Sequence, residues 1–188
     1  MVVKFLAPAA VTALLLSATV GPAQAAAQQA AVAPSDSSFI QMAGSLALLQ
    51  VRLGKLAEEK GSSPVVKDFG KRMQADYAKA GEELATGAKQ SAYPAPIMLR
   101  QHQQVVERFV GASRSSFDKK YMAEMLKQHG EAVRVFQQES EGGRVASLKQ
   151  LASKMLPTLQ QHLALATQTA SSVGADVTAT ASGTRQGS

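Results

Sequence analysis

The sequence predicts an all-α protein, an up-and-down four-helix bundle with one extra short helix. Between residues 36 and 170, large apolar side chains recur at alternating spacings of three and four. That period is typical of helix faces that pack against neighbouring helices. Short segments rich in Gly, Ser or Pro separate these stretches, and the period-two alternation of strands is absent. Short links between long helices favour antiparallel neighbours, and therefore a bundle.

The first two helices are predicted from their apolar stripes and from the signals at their ends. The first runs from about residue 37 to 60, with Asp36 among its candidate N-caps. Residues 61–64, "GSSP", form a tight connection in which Ser63 can cap the next helix. The second helix then continues to about residue 85. The stripe of the first helix consists of Phe39, Met42, Leu46, Leu49, Leu53 and Leu56.

Three further helices follow a segment that contains two prolines. A short helix is predicted at about 96–111, a fourth at 117–141 and a last one at 145–170. Pro157 lies inside the last helix. Because proline lacks the backbone N–H and crowds the carbonyl one turn earlier, we expect a kink or short break near residues 153–156.

The ends of the chain differ in composition from the bundle. Residues 1–25 have an early lysine, an apolar run and a small-residue cleavage site, which predicts a secretory signal peptide and an exported protein. Residues 26–35 are interpreted as a linker, 36–170 as the bundle domain and 171–188 as a disordered tail. After cleavage no stretch is long and apolar enough to span a bilayer.

Charge and cysteine content narrow the classes of function. The net charge is +6, but the basic residues are scattered among acidic ones and no basic cluster contains aromatic residues. This pattern argues against nucleic-acid binding. The absence of cysteine excludes disulfides, thiol catalysis and thiolate metal sites. No nucleophile elbow or glycine-rich phosphate loop is present, so we do not expect an enzyme.

Four segments together resemble one exported bacterial family, the domain of unknown function numbered 4142. They are "GSLALLQVRLGKLAEEK", "VVKDFGKRMQADY", "FDKKYMAEMLKQHGEAVRVFQQE" and "LKQLASKMLPTLQQHLALA". Its members are often labelled putative outer-membrane proteins and are similar to ferritin-like bundles. The resemblance therefore implies a ferritin-like bundle in the periplasm or associated with the outer membrane. Two positions depart from the family pattern, since Tyr77 stands where histidine is common and Gln50 where an acidic residue is frequent.

Two histidines fall on the apolar stripes of the last two long helices. His129 is in line with Met125, and His162 lies on the stripe that contains Met155. Imidazole and thioether groups suit copper, and zinc or iron are also candidates, which makes these four residues a possible metal site. The other interpretation is structural, with buried imidazoles that hydrogen-bond to partners at the core edge. The candidate partners are Asp76, Tyr77 and Tyr121.

Helix register argues against ligation of one ion by both rings. With the turn centred near residue 142, His129 lies 13 residues before it and His162 lies 20 after it. At ~1.5 Å rise per residue, the two positions differ in height by ~10 Å. The third histidine, His102, is placed at the edge of the core and is given no role.

The function predicted from the sequence is that of an exported, non-enzymatic helical bundle of the cell envelope. Its role would be to bind an envelope partner or to support stress tolerance. The alternative is a periplasmic metal-binding protein that uses His129 and His162. A ferritin-type di-metal oxidase is the weaker alternative, because none of the histidines follows a Glu-x-x spacing.

Overall fold

The computed structural model describes residues 34–177, which form five α-helices and no strand. The predicted all-α bundle, with four long helices and a short one, is confirmed. None of the described helices is long and apolar enough to cross a membrane. The predicted signal peptide and almost all of the predicted linker lie outside the described residues. The helices are α1 (Pro34–Lys60), α2 (Pro64–Gln90), α3 (Arg100–Val110), α4 (Arg114–Gly142) and α5 (Ala146–Ser172).

The four long helices form two hairpins that pack against each other. The hairpin α1–α2 lies against the hairpin α4–α5, with α1 beside α4 and α2 beside α5, while α3 packs outside on α1. Carboxylates tie the hairpins together at both ends. Asp118, at the start of α4, accepts backbone N–H bonds from Ser62 and Ser63 (3.1 and 2.8 Å) in the α1–α2 turn. Asp36, in α1, accepts bonds from Arg144 and Val145 (2.9 and 3.2 Å) in the α4–α5 turn.

These contacts also correct two predicted caps. Ser63 occupies the N-cap position of α2, but its side chain makes no capping bond. Asp118 satisfies backbone N–H groups there instead, from a different helix. Asp36, predicted as a cap of α1, lies inside that helix and serves the start of α5. A cap supplied by a distant segment leaves no signature in the local sequence.

Small residues set the close approach of α1 and α2. A Cβ added to Gly54 would lie 2.5 Å from the carbonyl oxygen of Gly70, and one added to Gly70 would lie 2.5 Å from Cβ of Ala57. Side chains at either glycine would push the two helix backbones apart. The two helices therefore approach closely enough for their large side chains to point toward α4 and α5.

The connection from α2 to α3 differs from the predicted boundaries. Helix α2 continues to Gln90, and α3 begins only at Arg100. The intervening segment stays irregular and crosses α1, where Nε2 of Gln41 donates to the carbonyl oxygen of Ile97 (2.7 Å). Prolines at 94 and 96 favour extended backbone in the residues before them, which accounts for the late start of α3.

The break expected near Pro157 is not found, because α5 runs without interruption from Ala146 to Ser172. Pro157 and Ser153 are both exposed, so the carbonyl that loses its helical partner faces solvent. Ala152 and Leu159 on the other face are buried in the core. Packing on that face holds the helix together through the proline.

The core also includes residues near the end of the described chain. Within the segment predicted as a tail, α5 extends to Ser172, and Val173, Ala175 and Val177 are partly buried against the core. The remainder of that segment lies outside the described residues. The largest fully buried side chains are Tyr121, Phe117, Ile40, Leu46, Leu49, Leu53, Met73, Leu84, Met122, Met125, Leu126 and Leu148.

Candidate metal-binding site

His129 of α4 and His162 of α5 meet in the centre of the bundle. Their ring centres are 5.9 Å apart, and the exposed fractions of the two residues are 0% and 2%. The predicted height difference of ~10 Å is wrong, because α4 continues to Gly142 and the turn is centred near residue 144. From there His129 lies 15 residues back and His162 18 residues forward, a difference in height of only ~4.5 Å.

His129 has one ring nitrogen bound to the backbone and the other facing sulfur. Its Nδ1 lies 2.8 Å from the carbonyl oxygen of Met125, one turn earlier in α4. A carbonyl only accepts, so Nδ1 carries the proton. Burial lowers the pKa of His129 to about 4, which keeps the ring neutral. Nε2 is therefore unprotonated and carries a free lone pair. That lone pair lies 3.2 Å from Sδ of Met73, an atom that cannot donate a hydrogen bond.

His162 has the same division of roles between its nitrogens. Its Nε2 lies 2.9 Å from Oδ2 of Asp76, so Nε2 carries the proton and donates a hydrogen bond to the carboxylate. Burial lowers the pKa of His162 while the bond to Asp76 raises it, and the net direction is downward. In the neutral ring Nδ1 is then unprotonated and carries a free lone pair. This atom is buried, and it has no hydrogen-bond partner among the described residues.

Two aromatic side chains of α2 enclose the histidine pair. The ring centre of Tyr77 lies 5.7 Å from that of His129 and 5.6 Å from that of His162. Phe69 contacts His129 at 6.0 Å. The Tyr77 hydroxyl is buried and has no hydrogen-bond partner within the described chain. Burial, together with the nearby charge of Asp76, raises the pKa of Tyr77, so the phenol stays protonated.

A cleft of about 400 Å³ between α2 and α5 connects this region with solvent. Its lining includes His162, Asp76 and Met155. The Asp76 side chain is 39% exposed and also pairs with Nε of Arg72 at 3.4 Å. The cleft therefore reaches the Asp76 side of His162, whereas Nδ1 of that ring is buried.

The two methionines proposed as soft ligands both face the core, with Met125 fully buried and Met155 partly buried. Met125 contacts His129 through its carbonyl rather than its sulfur, because the two residues are four apart in one helix. Met155 is partly buried and lines the cleft. The thioether beside an imidazole belongs to Met73 of α2, which is not among the ligands predicted from the sequence. The contact between Met73 and His129 depends on the relative register of α2 and α4. The spacing of residues within one helix does not contain this information.

Of the three proposed hydrogen-bond partners of the histidines, only Asp76 forms such a bond in the described chain. The partnership of Asp76 with His162 is confirmed. Tyr77 contributes its ring rather than its hydroxyl, and Tyr121 stacks on Phe117 with ring centres 5.5 Å apart. Burial raises the pKa of Tyr121 above its usual range.

His102 is buried rather than at the edge of the core, with 2% of its surface exposed. It lies between α3 and α1, where Nδ1 is 2.6 Å from Oγ of Ser45. The same hydroxyl accepts the backbone N–H of Leu99 at 2.7 Å. His102 therefore fixes α3 on α1, and it serves as an internal comparison for the other two histidines.

Carboxylates do not assemble around the histidine pair. In residues 34–177 no group of three or more His, Cys, Asp or Glu side chains is arranged to hold a metal ion. A ferritin-type di-iron site requires carboxylates from four helices. The donors available at the pair are instead two imidazole nitrogens and one thioether.

Comparison with protein-family models matches residues 21–169 to a domain of unknown function, DUF4142. No curated protein and no solved structure matched the chain. The ferritin-like relation implied by the resemblance therefore stays a prediction. Since the match spans most of the 188 residues, the chain belongs to the DUF4142 family.

Proposed function

We propose that the protein is an exported, non-enzymatic helical bundle that binds one transition-metal ion between His129 and His162. One observation carries this proposal. Each ring donates a hydrogen bond from one N–H group to an oxygen atom. The other nitrogen of each ring is unprotonated and keeps its lone pair in the interior.

This arrangement of protons is the one found in metal-ligating histidines. Such residues almost always donate their second ring N–H to a carboxylate or backbone carbonyl, which fixes the tautomer and the ring orientation. His162 uses Asp76 for this bond, and His129 uses the carbonyl of Met125. His102 also has one buried ring nitrogen, Nε2, without a partner among the described residues, so what sets His129 and His162 apart is that their rings lie together, with centres 5.9 Å apart.

The distances also support a shared ion. An ion about 2.0 Å from each nitrogen, with nitrogen–ion–nitrogen angles from tetrahedral to linear, holds two imidazole ring centres roughly 5.1–6.3 Å apart. The observed separation of 5.9 Å lies inside that range. Nitrogen and sulfur atoms bound to one ion at about 2.0 and 2.3 Å are roughly 3–3.5 Å apart. Nε2 of His129 and Sδ of Met73 are 3.2 Å apart.

Export rests on the first 25 residues, whose charged, apolar and small-residue regions follow the order of a signal peptide. The proposed location is the periplasm or the inner side of the outer membrane. There the protein would hold metal in the envelope, as a contribution to stress tolerance. Amino-terminal sequencing of the protein from an envelope fraction should begin at Ala26. An intact Met1 in the cytoplasmic fraction would contradict export.

The metal proposal is tested by titrating the purified, untagged protein with copper, zinc and iron. We expect stoichiometric binding of one ion, and loss of that binding in His129→Ala and in His162→Ala. His102→Ala is the matched control, since it removes a buried histidine away from the pair and should keep the site. Thermal unfolding with and without metal provides a second readout, because an ion that binds only the folded state raises its stability.

The opposite result has a defined meaning. If no metal binds and both alanine variants are merely less stable, the histidine pair is a packing element. The remaining function is then that of a bundle whose surface binds an envelope partner.

A further inference from the structure

We propose that the ion is monovalent and soft, with Cu(I) as the natural ligand and Ag(I) as its stable substitute. This inference rests on the proposed metal site and names its substrate class. The site would consist of Nε2 of His129, Nδ1 of His162 and Sδ of Met73.

The charge of the donors is the first argument. All three donor atoms are neutral. The carboxylate of Asp76 accepts a hydrogen bond from Nε2 of His162, the ring nitrogen that is not proposed as a metal ligand. Transfer of an ion out of water into a weakly polar interior has a cost that rises with the square of its charge. With only neutral donors, this cost is therefore larger for a divalent ion than for a monovalent one, so the donor set favours the monovalent ion.

The chemistry of the sulfur is the second argument. Thioether ligands select Cu(I) among the common biological metals, whereas carboxylate and carbonyl oxygens suit harder ions. The Met73 residue is fully buried, and its sulfur already faces the imidazole lone pair at 3.2 Å. No rearrangement of α2 is needed to bring this soft donor to the ion.

The number of donors is the third argument. Zinc in proteins is almost always four-coordinate, with water completing the open sites. Here Phe69 packs on His129, Tyr77 packs on both rings, and Nδ1 of His162 is buried although the cleft reaches the other side of that ring. This packing disfavours additional water ligands. A site with two nitrogens and one sulfur meets the low coordination number that Cu(I) accepts.

The experiment compares affinities for Cu(I), Ag(I) and Zn(II) in the intact protein under anaerobic conditions, with competing chelators specific for each ion. We expect one equivalent of Cu(I) or Ag(I) to bind tightly and Zn(II) to bind much more weakly. Met73→Leu should lower the Cu(I) affinity about 10–100-fold, with little change in the Zn(II) affinity. Met122→Leu is the matched control, since this fully buried methionine of α4 has no proposed part in the site.

Two results would overturn the inference while leaving the metal site intact. One is Zn(II) binding as tight as Cu(I) binding, and the other is unchanged Cu(I) affinity in Met73→Leu. Absence of binding by all three ions would instead remove the proposed function itself.

Discussion

At the scale of single residues, the position of one proton on each imidazole decides what the histidine pair can do. Asp76 and the carbonyl of Met125 each accept a hydrogen bond from a ring N–H group, and the opposite ring nitrogens are unprotonated. The inward direction of both histidines could be predicted from helical periodicity, whereas Asp76 is one of three candidate hydrogen-bond partners that the sequence assigns to neither ring. Met73 could not be predicted, because it meets His129 across the bundle and the relative shift of two helices is set by packing.

Asp76→Asn should lower metal affinity about 10–100-fold. The amide group can donate to Nε2 of His162, which allows the ring proton to move to Nδ1 and removes the lone pair from the site. Metal titration of the variant measures this effect. Asp68→Asn changes an exposed carboxylate of the same helix and should leave the affinity as it is. Equal affinities in the two variants would mean that Asp76 does not set the tautomer.

Tyr77→His should strengthen binding and extend it to Zn(II). The Tyr77 ring lies within 5.7 Å of both imidazoles, so a histidine there can supply a third nitrogen. Three imidazoles are an established zinc ligand set. A zinc titration of the variant beside the unmodified protein checks this. A failure to gain zinc affinity, in a variant that remains folded, would place the free nitrogens on a different side of the pair.

At the scale of the helices, the packed faces follow from the sequence but the ends do not. The apolar stripes predicted five helices, and all five are present. Their boundaries shift by up to five residues, because caps come from other helices and because prolines hold the α2–α3 connection extended. Pro157 shows a related effect, since tertiary packing on the buried face of α5 outweighs the local tendency to break.

Gly70→Ala should destabilise the protein by about 1–3 kcal/mol, because the new methyl group would overlap with Ala57 and force α1 and α2 apart. Gly130→Ala is the matched control, a helical glycine of α4 with nothing within 4 Å of an added Cβ. It should stabilise the protein by about 0.5–1 kcal/mol through helix propensity. Denaturant unfolding measures both variants. Equal effects would show that the α1–α2 distance is not limited by these glycines.

At the scale of the whole molecule, the two hairpins also meet through a pair of buried carboxyl groups. Glu139, near the end of α4, is buried and faces the Asp36 carboxylate of α1. Burial, together with that neighbouring carboxylate, raises the pKa of Glu139 to about 7. Neither partner is distinctive in the sequence, because an acidic residue near a helix end usually lies in solvent. Only the assembled bundle brings the two together.

The contribution of Glu139 to the stability of the protein should therefore decrease as pH rises toward about 7. The folded protein holds the Glu139 proton more tightly than the unfolded chain does, so the associated stabilisation is complete below the unfolded pKa. It is lost as pH rises through about 7. Thermal unfolding of the unmodified protein and of Glu139→Gln between about pH 5 and 8 should show a stability difference that changes with pH, since the opposite trend of the buried histidines is common to both. Glu141→Gln, an exposed neighbour, should keep the original slope. A slope retained in Glu139→Gln would assign the pH dependence to other groups.

The carboxylates of Asp36 and Asp118 have a consequence for how the molecule resists degradation. Helix termini are ordinarily the places where a protein first loosens, and proteases exploit such local fraying. Here each turn is bonded to the opposite hairpin, so neither hairpin can loosen alone. In a chain without cysteine, these two acidic side chains connect segments that disulfides connect in many cysteine-containing proteins. Cleavage at the turns then has to await opening of the entire bundle.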